Sequence, residues 1–168
     1  MPADAAMVQI RRATPADAEA IARMVRQAWA DRVAPDSSGH QETAERVRAD
    51  LGRGYAWVAL DGEAVVGSVR LVRHPDPQER GVWEVRKLGV LPQYRGQGVA
   101  HRLMEAVGRQ AFEVRARELR LAVRYDQPRL LEWYTQFGFV HDPSLRYSSP
   151  NPSTPPPFVM RRALEVRS

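Results

Sequence analysis

The apolar residues of this 168-residue chain fall into two rhythms that alternate along its length. Alternation in twos marks half-buried strands, and recurrence in threes and fours marks helices with one buried face. "VQIRR" opens in the first rhythm. Thr14, Pro15 and Asp17 then form a capping-box start, ahead of a helix that aligns Ile21, Val25 and Ala28 with Met24 beside them. A loop is expected from Asp31 to His40, then a short helix in "QETAERVRADL" with Ala44, Val47 and Leu51 inward. "YAWVAL" and "EAVVGSVRLVR" read as strands joined at Asp61-Gly62, a dipeptide suited to a tight hairpin turn. After the loop "HPDPQERG", "VWEVRKLGV" is another strand, and Val99, Leu103, Val107, Ala111 and Val114 define a long helix. "ELRLAV" returns to the strand rhythm, and "QPRLLEWYTQF" is helical with Gly138 placed to end it in a left-handed conformation. "FVHD" and "PFVMRRAL" are two last strands, separated by the proline- and serine-rich "PSLRYSSPNPSTPP". The order is strand, two helices, three strands, helix, strand, helix, two strands, without an internal repeat, which is a mixed α/β class. The length suits one domain spanning 1–168.

Composition narrows the function. The net charge is +5, yet both signs are interspersed and no basic face is organised, so a nucleic-acid surface is not favoured. Lys87 is the sole lysine; the other cations are arginine. No cysteine is present, which removes disulfides, thiolate ligands and a cysteine nucleophile. His40, His74, His101 and His141 lack ligand spacing, so no metal is expected. No apolar run suits a membrane span or a signal peptide, and a cytoplasmic location is the expectation.

The chemistry concentrates in "VLPQYRGQGVAHRLM", residues 90–104. Gly96 and Gly98 stand where a strand hands over to a helix. Their bare backbone, the unpartnered first amides of the helix and its dipole suit a phosphate or pyrophosphate, with Arg95 adding a full charge. An ordinary strand-to-helix turn is the plainer reading. A P-loop would need a Gly-Lys-Ser/Thr ending, and a dinucleotide fingerprint would need glycine or alanine at His101.

"RKLGVLPQYRGQGVAHRLM" resembles the acetyl-CoA signature of the GNAT superfamily of N-acetyltransferases, with Gln93, Gly96 and Gly98 filling its pattern. "IRRATPADAEAIARMV" and "LLEWYTQFGF" extend the similarity, which covers residues 8 to about 163. The resemblance implies a mostly antiparallel sheet of about six to seven strands with a central splay, flanked by about four helices. It also implies acetyl-CoA as donor and a small-molecule or peptide amine as acceptor. Along Leu88-Gly89-Val90, the backbone of Leu88 and Val90 would bond the pantetheine arm. The amides of Arg95, Gly96, Gln97, Gly98, Val99 and Ala100 would hold the pyrophosphate. Tyr134 matches the tyrosine that contacts the cofactor and protonates the departing thiolate. Gln127 stands where many members carry an asparagine that touches the cofactor.

Glu84 is the candidate base, and a salt bridge with Arg86 is its alternative role. On a regular strand Glu84, Arg86, Leu88 and Val90 share one face, so the carboxylate would look toward the acetyl group. Arg86 would hold a carboxylate or phosphate on the acceptor. His74 is a lesser base candidate, and His101 is expected on the outer face of its helix. The resemblance places acceptor choice in residues 31–40 and 142–157, the second acting as a proline-stiffened lid. A non-catalytic acyl-CoA-binding domain is the competing reading, and a homodimer is compatible with the sequence.

Overall fold

A computed structural model describes residues 7–30 and 38–165. Eleven regular elements follow the expected order: β1 (Gln9–Arg12), α1 (Ala18–Trp29), α2 (Ala44–Leu51), β2 (Gly54–Asp61), β3 (Ala64–Arg73), β4 (Val82–Val90), α3 (Val99–Glu113), β5 (Glu118–Val123), α4 (Arg129–Thr135), β6 (Val140–His141) and β7 (Phe158–Ala163). The expected Asp31–His40 loop lies, through residue 37, outside the described residues. Its end forms a short 3-10 turn, Ser38–Gln41.

Local chemistry sets the boundaries. The Thr14 amide donates to Asp17 at 2.8 Å, completing the capping box ahead of α1. α2 begins later than its periodicity suggests because the Thr43 hydroxyl caps it, accepting from the Arg46 amide at 3.2 Å. Gly138 adopts φ 89°, the left-handed conformation that stops the chain after α4.

The strands form one seven-stranded sheet in the order β1-β2-β3-β4-β5-β7-β6. One face packs on α1 and α2 through Ile21, Val25, Val47 and Val58. The other packs on α3 through Val69, Leu71, Leu103, Val107 and Leu119. β4 and β5 are the one parallel pair among the described residues, and their pairing covers only Val82, Glu84 and the residue between them, ending at Glu84↔Arg120. Beyond that rung the strands part, leaving the edge of β4 open from Val85 to Val90.

A bulge in β4 corrects the expected face. The β3–β4 register runs from Ser68↔Gly89 to Arg70↔Arg86, so Lys87 and Leu88 together oppose Val69. Lys87 takes φ 54°, the left-handed region that non-glycine residues seldom enter. Regular alternation would have kept Glu84, Arg86, Leu88 and Val90 together. Instead Glu84 and Arg86 sit on the α2 side with Asp50, whereas Leu88 and Val90 pack into the α3 core. Gly89 turns toward α1, and the Trp29 ring comes within 2.3 Å of where a Cβ would be, so only glycine leaves room for it.

Candidate active site

The parting strands enclose a cavity of about 670 Å³ running from the start of α3, between β4 and β5, to residues 147–157. Its walls are the β4 edge, β5 and its exit, α4, Trp29 at the end of α1, and the proline-rich connection to β7.

The end beside α3 is built mostly from backbone. Gly96 and Gly98 take φ 74° and 86°, and a Cβ on either would meet nothing within 4 Å. The glycines therefore meet a conformational demand, and the space in front of them is open for a ligand. Gly98 caps α3, and the Arg102 amide makes the first helical bond, to the Gly98 carbonyl at 3.0 Å. The first-turn amides at Gly98, Val99 and Ala100 precede any carbonyl partner within the helix and carry the positive end of its dipole.

Arg95 lines the cavity and also braces the loop. Its Nε donates to the Val90 carbonyl at 2.9 Å, its Nη2 to the Ala28 carbonyl at 2.6 Å, and its amide to the Pro92 carbonyl at 3.2 Å. The guanidinium ties the end of α1 to the signature loop through these two nitrogens. Gln93 and Gln97 stand outside the cavity lining, and the Gln97 side chain spans the loop to the Gln93 carbonyl at 3.2 Å.

Along the gap, the Leu91 amide donates to Val66 of β3 at 2.8 Å. Strand alternation then turns the backbone groups of Val90 and Leu88 the other way, toward the parted edge. The Val90 carbonyl is occupied by Arg95, which leaves its amide and the Leu88 groups facing the gap.

Tyr134 and Gln127 both line the cavity, as does His101 at its rim, where its ring lies 4.8 Å from Phe137. Tyr134 is held edge-on by Trp133 at 4.9 Å and Phe139 at 6.2 Å. Burial pushes its hydroxyl pKa above the ordinary tyrosine value, so it stays protonated at neutral pH. His74 is elsewhere, its Nδ1 accepting from the Asp76 amide at 3.1 Å in the β3–β4 loop.

The far end is built from charges. Glu84 lies behind the lining rather than in it: it is 2 % exposed and accepts from the Ser148 hydroxyl at 2.7 Å and from Arg86 Nη2 at 2.6 Å. The Glu84–Arg86 ion pair weighed as an alternative is thus present. Arg86 also reaches Asp50 at 3.4 Å and Ser149 at 3.2 Å, and lies 5.9 Å from the centre of the Tyr147 ring. Beneath it, fully buried Arg70 bridges Glu42 at 2.7 Å and Asp50 at 3.1 Å. Arg86 lines the cavity, and both its terminal nitrogens have partners in this network. Its buried Nε makes no hydrogen bond. Lys87 lines the cavity beside it, and desolvation lowers its amine to about 8 despite the nearby Glu42.

Sequence reasoning did not single out Lys87, Trp29 or Ser148 for the site. Gly89 inside a strand was the available signal for a close approach, and it is Trp29 that approaches. Ser148 lies 64 residues from Glu84 in the chain, and no local pattern connects them.

Among the described residues no group of three or more His, Asp or Glu is placed to hold a metal ion, and no helix is long and apolar enough to cross a membrane. A mixed sheet opened at its parallel pair, with a glycine-gated helix start beside the opening, defines an acyltransferase of the GNAT type. The chain belongs to the acetyltransferase (GNAT) family, which it matches over residues 21–139. Comparison with curated proteins finds no match. Among solved structures it is similar to an acetyltransferase from Streptococcus agalactiae (TM-score 0.75, 20 % identity, covering 94 % of this chain and 99 % of that one). It is also similar to the PaiA N-acetyltransferase of Thermoplasma acidophilum in complex with coenzyme A (TM-score 0.73, 16 % identity, 94 % and 99 %). A third is the ribosomal-protein-S18-alanine N-acetyltransferase of Escherichia coli (TM-score 0.73, 15 % identity, 96 % and 97 %).

Proposed function

We propose that this protein is an N-acetyltransferase that moves the acetyl group of acetyl-CoA to the primary amine of a small molecule, by direct attack in a ternary complex. The observation that carries the reading is the opening between β4 and β5 beside the glycine-gated start of α3. Bound acetyl-CoA supplies an acetyl group activated as a thioester. The amides of Gly96, Gly98, Val99 and Ala100 hold its diphosphate, and the backbone of Leu88 with the Val90 amide holds the pantetheine arm as an added strand. Gln127 and Tyr134 line the same cleft from the α4 side.

Three tasks fall to this chain's residues: removing a proton from the acceptor ammonium, steadying the oxyanion, and protonating the thiolate that leaves. Tyr134, kept protonated by burial, gives its proton to the thiolate. Glu84, buried behind the cavity lining and bonded by the Ser148 hydroxyl, receives the proton of the acceptor through a water. Tyr147, Ser149, Asn151 and Thr154 bring the β6–β7 connection over the cavity, and this cover favours a small acceptor over a protein surface.

The test is CoA release from acetyl-CoA against a panel of small amines and peptide amines. Turnover on small amines supports the reading, and turnover confined to peptides replaces the acceptor class. Tight CoA binding without turnover on any amine makes the protein an acyl-CoA-binding domain instead.

A further inference from the structure

We propose that the acceptor is a small amine carrying a flat aromatic ring, and that Trp29 and Tyr147 hold that ring between them. The inference rests on reading the cleft as an acetyl-CoA-dependent active site, and it adds the class of acceptor.

The first observation is the stance of Trp29. Its Cζ3, Cη2 and Cε3 lie 2.3, 3.0 and 3.4 Å from where a Cβ on Gly89 would be. Distances climb this steeply on both sides of Cζ3 when a ring meets a point with its edge and not with its face. The indole therefore stands up from β4 at Gly89, and it forms part of the cavity wall.

The second observation is that Tyr147 belongs to the same side of the strand. Arg86 turns to Asp50 of α2 and Gly89 to Trp29 of α1, so both positions face the two helices. Their partners on β3, Arg70 and Ser68, are two residues apart. Two residues of strand span about 7 Å, and this is the length of floor between the two positions. Tyr147 also lines the cavity, with its ring centre 5.9 Å from the Arg86 guanidinium carbon. An aryl group on that floor comes within the roughly 4.5–7 Å of each ring at which aromatic pairs attract.

The third observation is that these two rings have no aromatic partner. At the α4 end Trp133 packs on Tyr134 and Phe137, and Tyr134 on Phe139. Trp29 and Tyr147 pair with no other ring among the described residues. The charges of the lining do not favour a second ionic group on the acceptor. No Asp or Glu is among the lining residues, so an added ammonium meets no carboxylate there. The terminal nitrogens of Arg86 already bond to Asp50 and Glu84, and Arg124 is paired with Asp126.

The experiment measures CoA release from acetyl-CoA with 2-phenylethylamine, its cyclohexyl counterpart, hexylamine, spermidine and 4-aminobutanoate. The cyclohexyl amine matches the first in size and lacks only the flat π face. The proposal expects 2-phenylethylamine to be favoured over it by about three- to tenfold in kcat/KM, and over the other amines by more. Trp29→Leu and Tyr147→Leu should each raise KM for 2-phenylethylamine about three- to tenfold with a smaller change in kcat, bringing it level with the cyclohexyl amine. Trp29→Phe and Tyr147→Phe keep a ring in place and should retain most of the preference. CoA binding by the leucine variants checks that they are folded. Equal turnover of the two ring amines, or better turnover of spermidine or 4-aminobutanoate, overturns the proposal and leaves the acetyltransferase reading standing. An aryl preference that survives both leucine variants does the same. Turnover of no amine at all overturns both.

Discussion

The two ends of the cleft are made of different materials. The α3 end is backbone: helix-start amides after Gly98 and the parted edge of β4. The two polar side chains nearest in sequence, Gln93 and Gln97, do not line the cavity, and Arg95, which does, turns Nε and Nη2 to backbone carbonyls. The other end rests on side chains of a buried ion network that joins α2, β3, β4 and the β6–β7 connection. A backbone site tolerates change in its side chains but not in its dihedral angles. A side-chain site is sensitive to each charge it contains, because removing one leaves its partner buried and uncompensated.

That difference can be broken from either side. The largest loss is expected at the charged end: Glu84→Gln leaves Arg86 with one fewer counter-charge, costing about 3 kcal/mol of stability in a denaturant melt. Glu84→Gln with Arg86→Met should cost less than the sum of the single variants, and strict additivity would show that the pair is not coupled. Next comes the backbone end. Gly98→Asp places an L-residue at a left-handed φ and a negative charge before the diphosphate, so the Kd for CoA, read by calorimetry, should rise on the order of a hundredfold. Gly98→Asn, neutral and tolerant of that conformation, should lose far less. Tyr134→Phe should lower kcat about tenfold or more while CoA affinity moves less than about twofold, since only the proton is removed. An unchanged kcat would take the acid role from Tyr134.

The smallest effect is a pH dependence. The folded-state pKa of Lys87 is about 8 against an ordinary 10.5. Between those values the unfolded chain binds more protons than the folded one, so stability should rise with pH across that window. Lys87→Met should flatten the rise, and an identical profile in the variant would locate the titration elsewhere.

The same difference in materials governs what the amino-acid sequence discloses. The element order, the caps at Thr14 and the stop at Gly138 follow from local rules, and all are found in the fold. The glycine stretch was legible because a backbone site needs residues of permissive conformation, and those are visible in one dimension. The face of Glu84 relative to Leu88 was not, since it turns on a single extra residue at Lys87 whose bulge depends on the register with β3. Nor was the engagement of Arg86, which draws on Asp50, Ser148 and Ser149 from segments 36, 62 and 63 residues away. Arg95 illustrates the same limit: its bond to the Ala28 carbonyl joins residues 67 apart in the chain, which no local pattern discloses.

The central claim is that main-chain amides at the start of α3 and along the parted edge of β4 hold the cofactor. A titration of the isotope-labelled protein with CoA, followed by amide nuclear magnetic resonance, tests it most directly. The account predicts the largest shifts at Gly96, Gly98, Val99, Ala100, Leu88 and Val90, with the exposed loop around Gly62 unmoved. Saturable binding that leaves those six amides in place would contradict it.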